Sequence, residues 1–319
     1  MTAARPPILV TGTHRSGTTW VGQMLALSDG VHYVHEPFAP MHERAWVRRP
    51  PQARYAYRRA TDGAWELDED LDRIVRLRPS WVTIARRAGG LRNYARVGQE
   101  AVETAVARMR GARALIKDPF ALLLAEWIAD RSDAAMVVLV RHPAAFVSSV
   151  KRLNWRMDTS YLLQQPELMA DHLEPFRAEL ERDSRRENDL VDHACLVWRT
   201  LNSIVYDYER RHPAWAVLRY EDLAEDPVDS FRHLYGDVGI DWSSTVERKI
   251  LDQNAPRHGA DVPAGSKGGT QRDSVRAMWT WTSRLTPAEA ARIRRATSEL
   301  GERWYPDEYW TAPRSRPCI

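Results

Sequence analysis

Cysteine is scarce in this chain, which carries only Cys195 and Cys318 among 319 residues. Two thiols cannot form the disulfide framework of a small secreted domain or, by themselves, a tetrahedral zinc site. Long apolar runs are also missing, because the densest one, Ala134 to Val140, is far shorter than the roughly 20 residues that span a bilayer. The first residues lack the apolar core and cleavage site of a secretory signal. We therefore expect no membrane span and a cytoplasmic protein.

The chain has no large excess of one charge, because 46 basic and 43 acidic residues give a net charge of only +3. That balance does not indicate nucleic-acid binding. Lysine is rare, because four lysines stand against 42 arginines, and Lys117 is one of the four. His, Cys, Asp and Glu show no metal-ligand spacing such as H-E-x-x-H or C-x-x-C, so we expect no metal. A content of 44% apolar and 28% charged residues is typical of a globular protein.

Short apolar segments alternate with helical patterns along the chain. The predicted strands are 7–11, 114–116, 136–140 and 215–219. This alternation predicts an α/β fold with a P-loop-like parallel sheet flanked by helices. We expect a single large domain over 1–319 with helical insertions at about 41–110 and 153–193.

A glycine-containing loop joins the first predicted strand to the first predicted helix. Gly12 and Gly17 have the spacing of a nucleoside-triphosphate loop, and such a loop with the following helix N-terminus favours an anion. The usual lysine position holds Thr18, and a cation stands at Arg15 instead. A P-loop kinase would also need an acidic Mg²⁺ ligand after a strand, and none is evident.

The hexapeptide Arg15-Ser-Gly-Thr-Thr-Trp20 resembles the 5′-phosphosulfate loop of the sulfotransferases that use 3′-phosphoadenosine 5′-phosphosulfate, and it matches every position of that motif. The family also places an Arg at the end of a central strand and a Ser eight residues later, which together hold the 3′-phosphate. Arg141 and Ser149 have this spacing. Tyr220-Glu-Asp-Leu223 is similar to a family turn whose Tyr lies near the adenine. The resemblance implies that the following residues bind the donor: Arg15, Ser16, Gly17, Thr18, Thr19, Trp20, Arg141, Ser149 and Tyr220.

Two further segments resemble different branches of this family. His35-Glu-Pro-Phe38 is similar to the E-P motif of the carbohydrate sulfotransferases, and Lys117-Asp-Pro-Phe120 is similar to a segment of the tyrosylprotein branch. The resemblance implies Glu36 as the general base. Lys117 and Arg15 would stabilise negative charge on the leaving phosphate. For Lys117, a surface ion pair with Asp118 is the alternative.

The acceptor is expected to be a hydroxyl of a carbohydrate or glycolipid, because the E-P segment borders the acceptor in the family and Trp and Arg residues in 41–110 suit sugar faces and anionic groups. A phenolic or other hydroxyl of a small secondary metabolite is the rival acceptor. A nucleotide-binding module without catalysis would keep Arg15, Arg141 and Ser149 but have no use for Glu36 and Lys117. The sequence assigns no role to Lys267, Arg272 or the glycine-containing loop at 255–271, beyond the resemblance of such long loops to active-site lids.

Overall fold

The computed structural model of the protein describes residues 5–39, 46–48, 51, 55–80, 91–255 and 273–311, with the backbone alone over 91–97. Lys267, Arg272, nearly all of the 255–271 loop and part of the predicted insertion at 41–110 lie outside these ranges. The strands are β1 (Ile8–Gly12), β2 (Val31–His35), β3 (Arg113–Lys117), β4 (Ala135–Val140) and β5 (Ala216–Arg219). The helices of the first half are α1 (Thr18–Leu25), α2 (Asp68–Val75), α3 (Leu91–Met109), α4 (Ala125–Ser132) and α5 (Pro143–Leu153).

Nine further helices follow within the described ranges. They are α6 (Ser160–Leu163), α7 (Pro166–Leu168), α8 (Arg177–Ser184), α9 (Leu190–Arg211), α10 (Tyr220–Glu225), α11 (Pro227–Asp237), α12 (Ser244–Gln253), α13 (Ser274–Trp279) and α14 (Pro287–Trp304). Shorter 3₁₀ turns lie at Pro119–Leu124, Glu174–Phe176, Thr280–Ser283 and Asp307–Trp310, and one π turn lies at Met169–Leu173.

The five strands form one sheet in the order β2-β3-β1-β4-β5. The pairings of β1 with β3, β1 with β4 and β2 with β3 are parallel, which confirms the predicted α/β fold. Strands β1, β3 and β4 are almost wholly buried, as their continuous apolar runs predict. The sequence analysis missed β2, which is an edge strand whose His and Tyr residues interrupt the apolar run.

The register of the sheet brings three strand ends to one level. His35 of β2 is the partner of Lys117 of β3, and Val10 of β1 is the partner of the same lysine. Residues that follow β1, β2 and β3 therefore emerge at the same carboxyl edge, where ligands bind in open α/β sheets.

The chain divides into two compact units. The first comprises Met1–Leu139, Ala214–Ala216 and Val228–Ile250, and the second comprises Val140–Pro213, Val217–Pro227 and Leu251–Ile319. In the second unit the long helix α9 packs against α5 and α14. The predicted single domain over 1–319 stays a prediction.

Local capping fixes where the long helices of the second unit begin. The Asp189 side chain accepts hydrogen bonds from the backbone N–H groups of Val191 and Asp192 and so caps α9. Thr286 and Glu289 form a reciprocal capping box at the start of α14. No helix within the described ranges is both long and apolar enough to cross a bilayer.

Candidate active site

The loop between β1 and α1 contains two buried hydroxyl groups that suit an anion. Thr13 is 2% exposed and Ser16 is fully buried, and neither hydroxyl has a hydrogen-bond partner among the residues that the structure describes. The loop is closed by a bond from the Ser16 backbone N–H to the Thr13 carbonyl, at 3.0 Å. A buried hydroxyl without a partner costs about 1–3 kcal/mol, which a bound phosphate or sulfate oxygen would offset.

Two glycines set the course of the loop. Gly12 has φ 144°, and a Cβ there would overlap the Leu139 carbonyl oxygen of the neighbouring strand. Gly17 has φ 97° and is the N-cap of α1, where no side chain within the described ranges caps the helix. The amino end of α1 therefore presents backbone N–H groups and its partial positive charge to a ligand.

Replacing Gly12 by alanine should disrupt both the loop and the sheet. The new Cβ would meet a backbone oxygen that cannot move away without shifting β4, and it would add strain at a positive φ. We expect Gly12→Ala to lower the free energy of unfolding by about 1–3 kcal/mol, measured by urea denaturation. Gly98→Ala is the control, because a Cβ there meets nothing within 4 Å. Equal stability of the two variants would contradict this role of Gly12.

The cation of the loop lies on an unusual backbone. Arg15 is exposed and has φ 66°, in the left-handed region that a residue with a Cβ rarely adopts. Thr18 is buried and Thr19 is exposed in the first turn of α1. Trp20 is 2% exposed and packs edge-to-face on Phe231 with ring centroids 5.3 Å apart. Its role in binding the donor stays a prediction.

A tyrosine that the sequence analysis did not single out holds the loop in place. The Tyr55 hydroxyl accepts a hydrogen bond from the His14 backbone N–H at 2.8 Å and lies 2.6 Å from the Nδ1 atom of the same residue. Its ring is buried and contacts Phe120. Tyr55 lies in the segment predicted as an insertion, and no local pattern links it to a loop 41 residues away.

Glu36 and Lys117 form an ion pair at the carboxyl edge of the sheet. The Lys117 ammonium donates to Oε1 of Glu36, and the Glu36 backbone N–H donates to the Lys117 carbonyl at 2.7 Å. Lys117 is fully buried, whereas the Glu36 side chain is 12% exposed. Glu36 has φ 45°, a left-handed conformation that turns the chain directly after β2. The alternative of a surface ion pair between Lys117 and Asp118 is therefore wrong, because this lysine is buried and bonded to Glu36.

The lysine stem occupies a space that a glycine leaves open. A Cβ added at Gly22 of α1 would stand 3.0 Å from Cγ of Lys117 and 3.0 Å from the Tyr33 ring. Helix α1 therefore lies close over both side chains, and it fixes the direction from which the ammonium reaches Glu36.

Asp118 ties the turn after β2 to the end of β3. Its carboxylate accepts from the backbone N–H groups of Phe38 at 2.8 Å and Phe120 at 2.9 Å, and its carbonyl accepts from the Thr11 hydroxyl at 2.8 Å. Complete burial and the nearby Glu36 charge raise the pKa of Asp118 to about 7, against the opposing effect of the two N–H bonds. The carboxyl group thereby positions the segment that carries Glu36.

The second unit holds the other predicted donor residues. Arg141 follows β4, and its guanidinium carbon lies 4.8 Å from the centroid of the Tyr220 ring, which is fully buried. The Arg141 carbonyl accepts from the Trp198 indole N–H at 2.9 Å. Ser149 is 5% exposed on α5. The structure thus brings Arg141 and Tyr220 together, and the joint action of Arg141 and Ser149 on one phosphate stays a prediction.

Glu221 supports the backbone next to Arg141. The sequence analysis did not single it out, although it lies inside the segment Tyr220-Glu-Asp-Leu223. Its carboxylate accepts from the His142 backbone N–H at 3.2 Å and from the Tyr305 hydroxyl at 2.8 Å. Burial raises the pKa of Glu221, while the Arg141 charge and these two bonds act in the opposite direction. The carboxyl group therefore fixes the backbone directly after Arg141.

His142 makes the stability of the protein depend on pH. Burial and the neighbouring Arg141 charge lower the pKa of His142 to about 3, and its Nδ1 accepts from the Ala144 N–H at the start of α5. Because the folded pKa lies below the unfolded value near 6.5, the unfolded chain binds the proton first and stability falls as the pH drops below 6.5.

Between pH 7 and pH 5 we expect His142 to remove about 2 kcal/mol from the free energy of unfolding. His142→Asn keeps an acceptor for the Ala144 N–H but does not titrate. Between the two pH values this variant should therefore lose about 2 kcal/mol less of its free energy of unfolding than the native protein. Urea denaturation of both proteins at the two pH values measures the difference. Equal losses would show that His142 titrates normally in the folded protein.

Known proteins of one family are similar to this chain. A model of the sulfotransferase family matches residues 6–244. Carbohydrate sulfotransferase 1 from Danio rerio is 28% identical over 181 residues, which cover 54% of this chain and 36% of that protein. The chain therefore matches little more than a third of the length of this curated relative.

Two solved structures are similar over most of the chain. The sulfotransferase domain from the Synechococcus PCC 7002 olefin synthase is 19% identical with a TM-score of 0.47, covering 95% of this chain and 96% of that one. The sulfotransferase domain from the curacin biosynthetic pathway is 15% identical with a TM-score of 0.48, covering 93% and 99%. Because the family model spans well over half of the residues, the chain belongs to the sulfotransferase family of enzymes.

Proposed function

We propose that this protein transfers a sulfuryl group from 3′-phosphoadenosine 5′-phosphosulfate to a hydroxyl group, with Glu36 as the general base. The observation that carries the proposal is the ion pair of Glu36 with the buried Lys117, at the same sheet edge as the phosphate loop. A carboxylate there can take a proton, and a fixed ammonium beside it can stabilise negative charge.

The phosphate loop fits the 5′ end of this donor. The hydroxyls of Thr13 and Ser16 have no hydrogen-bond partner among the described residues. These hydroxyls, the close backbone approach at Gly12 and the amino end of α1 all favour an anion. When bound, the donor supplies a sulfuryl group attached to a phosphate that can leave. Arg15, Ser16, Gly17, Thr18 and Thr19 are the residues proposed to hold that end.

Glu36 is proposed to accept the proton that the acceptor hydroxyl loses. Its 12% exposed carboxylate is held by Lys117 and by the left-handed turn after β2, so its direction is set before a ligand arrives. Lys117 and Arg15 supply positive charge where the leaving phosphate becomes more negative. In the second unit, Arg141 and Ser149 are proposed to hold the 3′-phosphate and Tyr220 to lie near the adenine.

The donor assignment predicts selective stabilisation by the co-product. We expect 3′,5′-adenosine bisphosphate at about 100 times its dissociation constant to add about 2.7 kcal/mol and raise the Tm, with far less effect from ATP and Mg²⁺. Arg141→Ala should weaken this shift, because it removes the guanidinium proposed for the 3′-phosphate. Arg152→Ala, an exposed arginine on α5, is the matched control. Equal thermal shifts from ATP and the bisphosphate would contradict the assignment.

The acceptor is proposed to be a carbohydrate or glycolipid hydroxyl. The His35-Glu36-Pro37 segment supports it, and so does the similarity to a protein named carbohydrate sulfotransferase 1. A screen with radiolabelled donor against glycans, glycolipids, tyrosine peptides and phenols tests the acceptor. Transfer to phenols or tyrosine peptides with none to any sugar hydroxyl would overturn the carbohydrate acceptor and favour the small-metabolite rival, without affecting the donor assignment.

A further inference from the structure

A second titratable group approaches the proposed base from β2. Tyr33 and His35 lie two residues apart and therefore on one face of the strand. The Tyr33 hydroxyl is 3.2 Å from Nδ1 of His35, and the Nε2 atom of His35 is 3.7 Å from Oε1 of Glu36. Tyr33 thereby orients the ring so that its other nitrogen faces the carboxylate.

Lys117 and His35, which both approach Glu36, differ in their access to water. Lys117 is fully buried, whereas the side chain of His35 is 27% exposed and can exchange a proton with solvent. Both approach the same oxygen, Oε1. Glu36 therefore faces a permanent cation, Lys117, and an imidazole that carries charge only when protonated.

Other titratable groups lie around His35. At the carboxyl end of β3 they are Lys117 and the adjacent Asp118, whose pKa of about 7 makes it titrate near neutrality, and the packed helix α1 carries no titratable side chain. From α3, Thr104 contacts His32 at 3.0 Å. Burial lowers the pKa of His32, and the charge of Glu103 opposes that shift. His32 lies on the opposite face of β2, so the strand supplies a second histidine that does not face Glu36.

We infer that His35 is a positioning residue that sets the pH range in which Glu36 works as a base. This inference rests on the proposed function. Neutral His35 adds no charge beside the pair of Glu36 and Lys117, whereas protonated His35 adds a further cation at Oε1 and makes the carboxylate a weaker base. The activity of the enzyme therefore falls on the acid side of neutrality because His35 gains a proton.

The pH dependence of kcat/KM tests this role. Between pH 7.5 and 5.5 we expect the native enzyme to lose roughly threefold or more, and His35→Gln to lose clearly less over the same interval, its remaining acid limb being that of Asp118, whose pKa is about 7. His32→Gln is the matched control and should follow the native profile. An acid limb that persists unchanged in His35→Gln would overturn the inference.

A measurement without turnover provides the second test. The ring nitrogens of histidine are isotope-labelled and their titration is followed by nuclear magnetic resonance. Glu36→Gln removes the anion that favours the charged form of His35, so the pKa of His35 should fall while that of His32 stays unchanged. The His35→Gln and His32→Gln spectra assign the two signals. A pKa of His35 that is the same in the native protein and in Glu36→Gln would overturn the inference.

The two proposals fail in distinguishable ways. An inactive Glu36→Gln enzyme combined with an unchanged His35→Gln profile leaves the proposed base in place and removes only the role of His35. Near-native turnover of Glu36→Gln removes the base itself, whatever the behaviour of His35. Tyr33→Phe, which keeps the ring but releases Nδ1 of His35, should weaken the acid limb in part.

Discussion

Glu36→Gln should lower kcat by roughly 10²- to 10⁴-fold while leaving the affinity for 3′,5′-adenosine bisphosphate unchanged. The amide cannot take a proton from the acceptor hydroxyl, but its oxygen can still accept the hydrogen bond from Lys117. The buried ammonium therefore keeps a partner, and the fold should keep its stability. Steady-state kinetics and a thermal shift with the bisphosphate measure the two effects separately.

Glu69→Gln provides the matched control for this substitution. The Glu69 side chain is 70% exposed and pairs with Arg48 at the surface, so the change removes the same charge at a solvent-exposed position. It should leave kcat within experimental error. Near-native turnover of Glu36→Gln would rule out Glu36 as the base.

Lys117→Met is expected to damage both turnover and stability. Methionine fills the space beside Gly22 with an unbranched apolar chain. It removes the ammonium, however, and leaves the Glu36 carboxylate without its hydrogen bond from Lys117. Loss of a fixed charge that stabilises the leaving group lowers kcat by about 10²- to 10³-fold. Breaking a buried ion pair costs up to about 3–5 kcal/mol, and the cost here should be smaller because Glu36 is partly exposed.

Lys151→Met is the control for stability. Lys151 pairs with Glu289 at the surface, where its side chain is 41% exposed, so its loss should cost no more than about 1 kcal/mol. Urea denaturation compares the two variants. If Lys117→Met unfolds at the same urea concentration as Lys151→Met and turns over like the native enzyme, the buried pair has neither role.

The sequence predicts most of the sheet because buried strands consist mainly of apolar residues. Strand β4 is a continuous apolar run, β3 has an apolar centre at 114–116, and the glycines at 12 and 17 mark the turn between β1 and α1. Strand β2 does not show in this way, because an edge strand is partly exposed and can carry His32, Tyr33 and His35. Its position nevertheless decides the site, since it carries Glu36 to the end of β3.

Side-chain partners were harder to predict than the residues themselves. The motifs identify Glu36 and Lys117 separately, but their contact depends on the register of two strands that are 81 residues apart in the chain. The bonds of Tyr55 to His14 and of Thr11 to Asp118 likewise join distant segments. Local patterns report which faces are buried, whereas such pairs arise only when the sheet is assembled.

Sulfuryl transfer itself tests the account most directly. The native enzyme is incubated with 3′-phosphoadenosine 5′-phosphosulfate carrying radiolabelled sulfur and a pool of glycans, glycolipids, peptides and phenols. We predict that label appears on a hydroxyl-bearing acceptor together with one equivalent of 3′,5′-adenosine bisphosphate, and that Glu36→Gln lowers the rate of both products equally. Tight binding of the bisphosphate with no label on any acceptor would instead identify a nucleotide-binding module without catalysis.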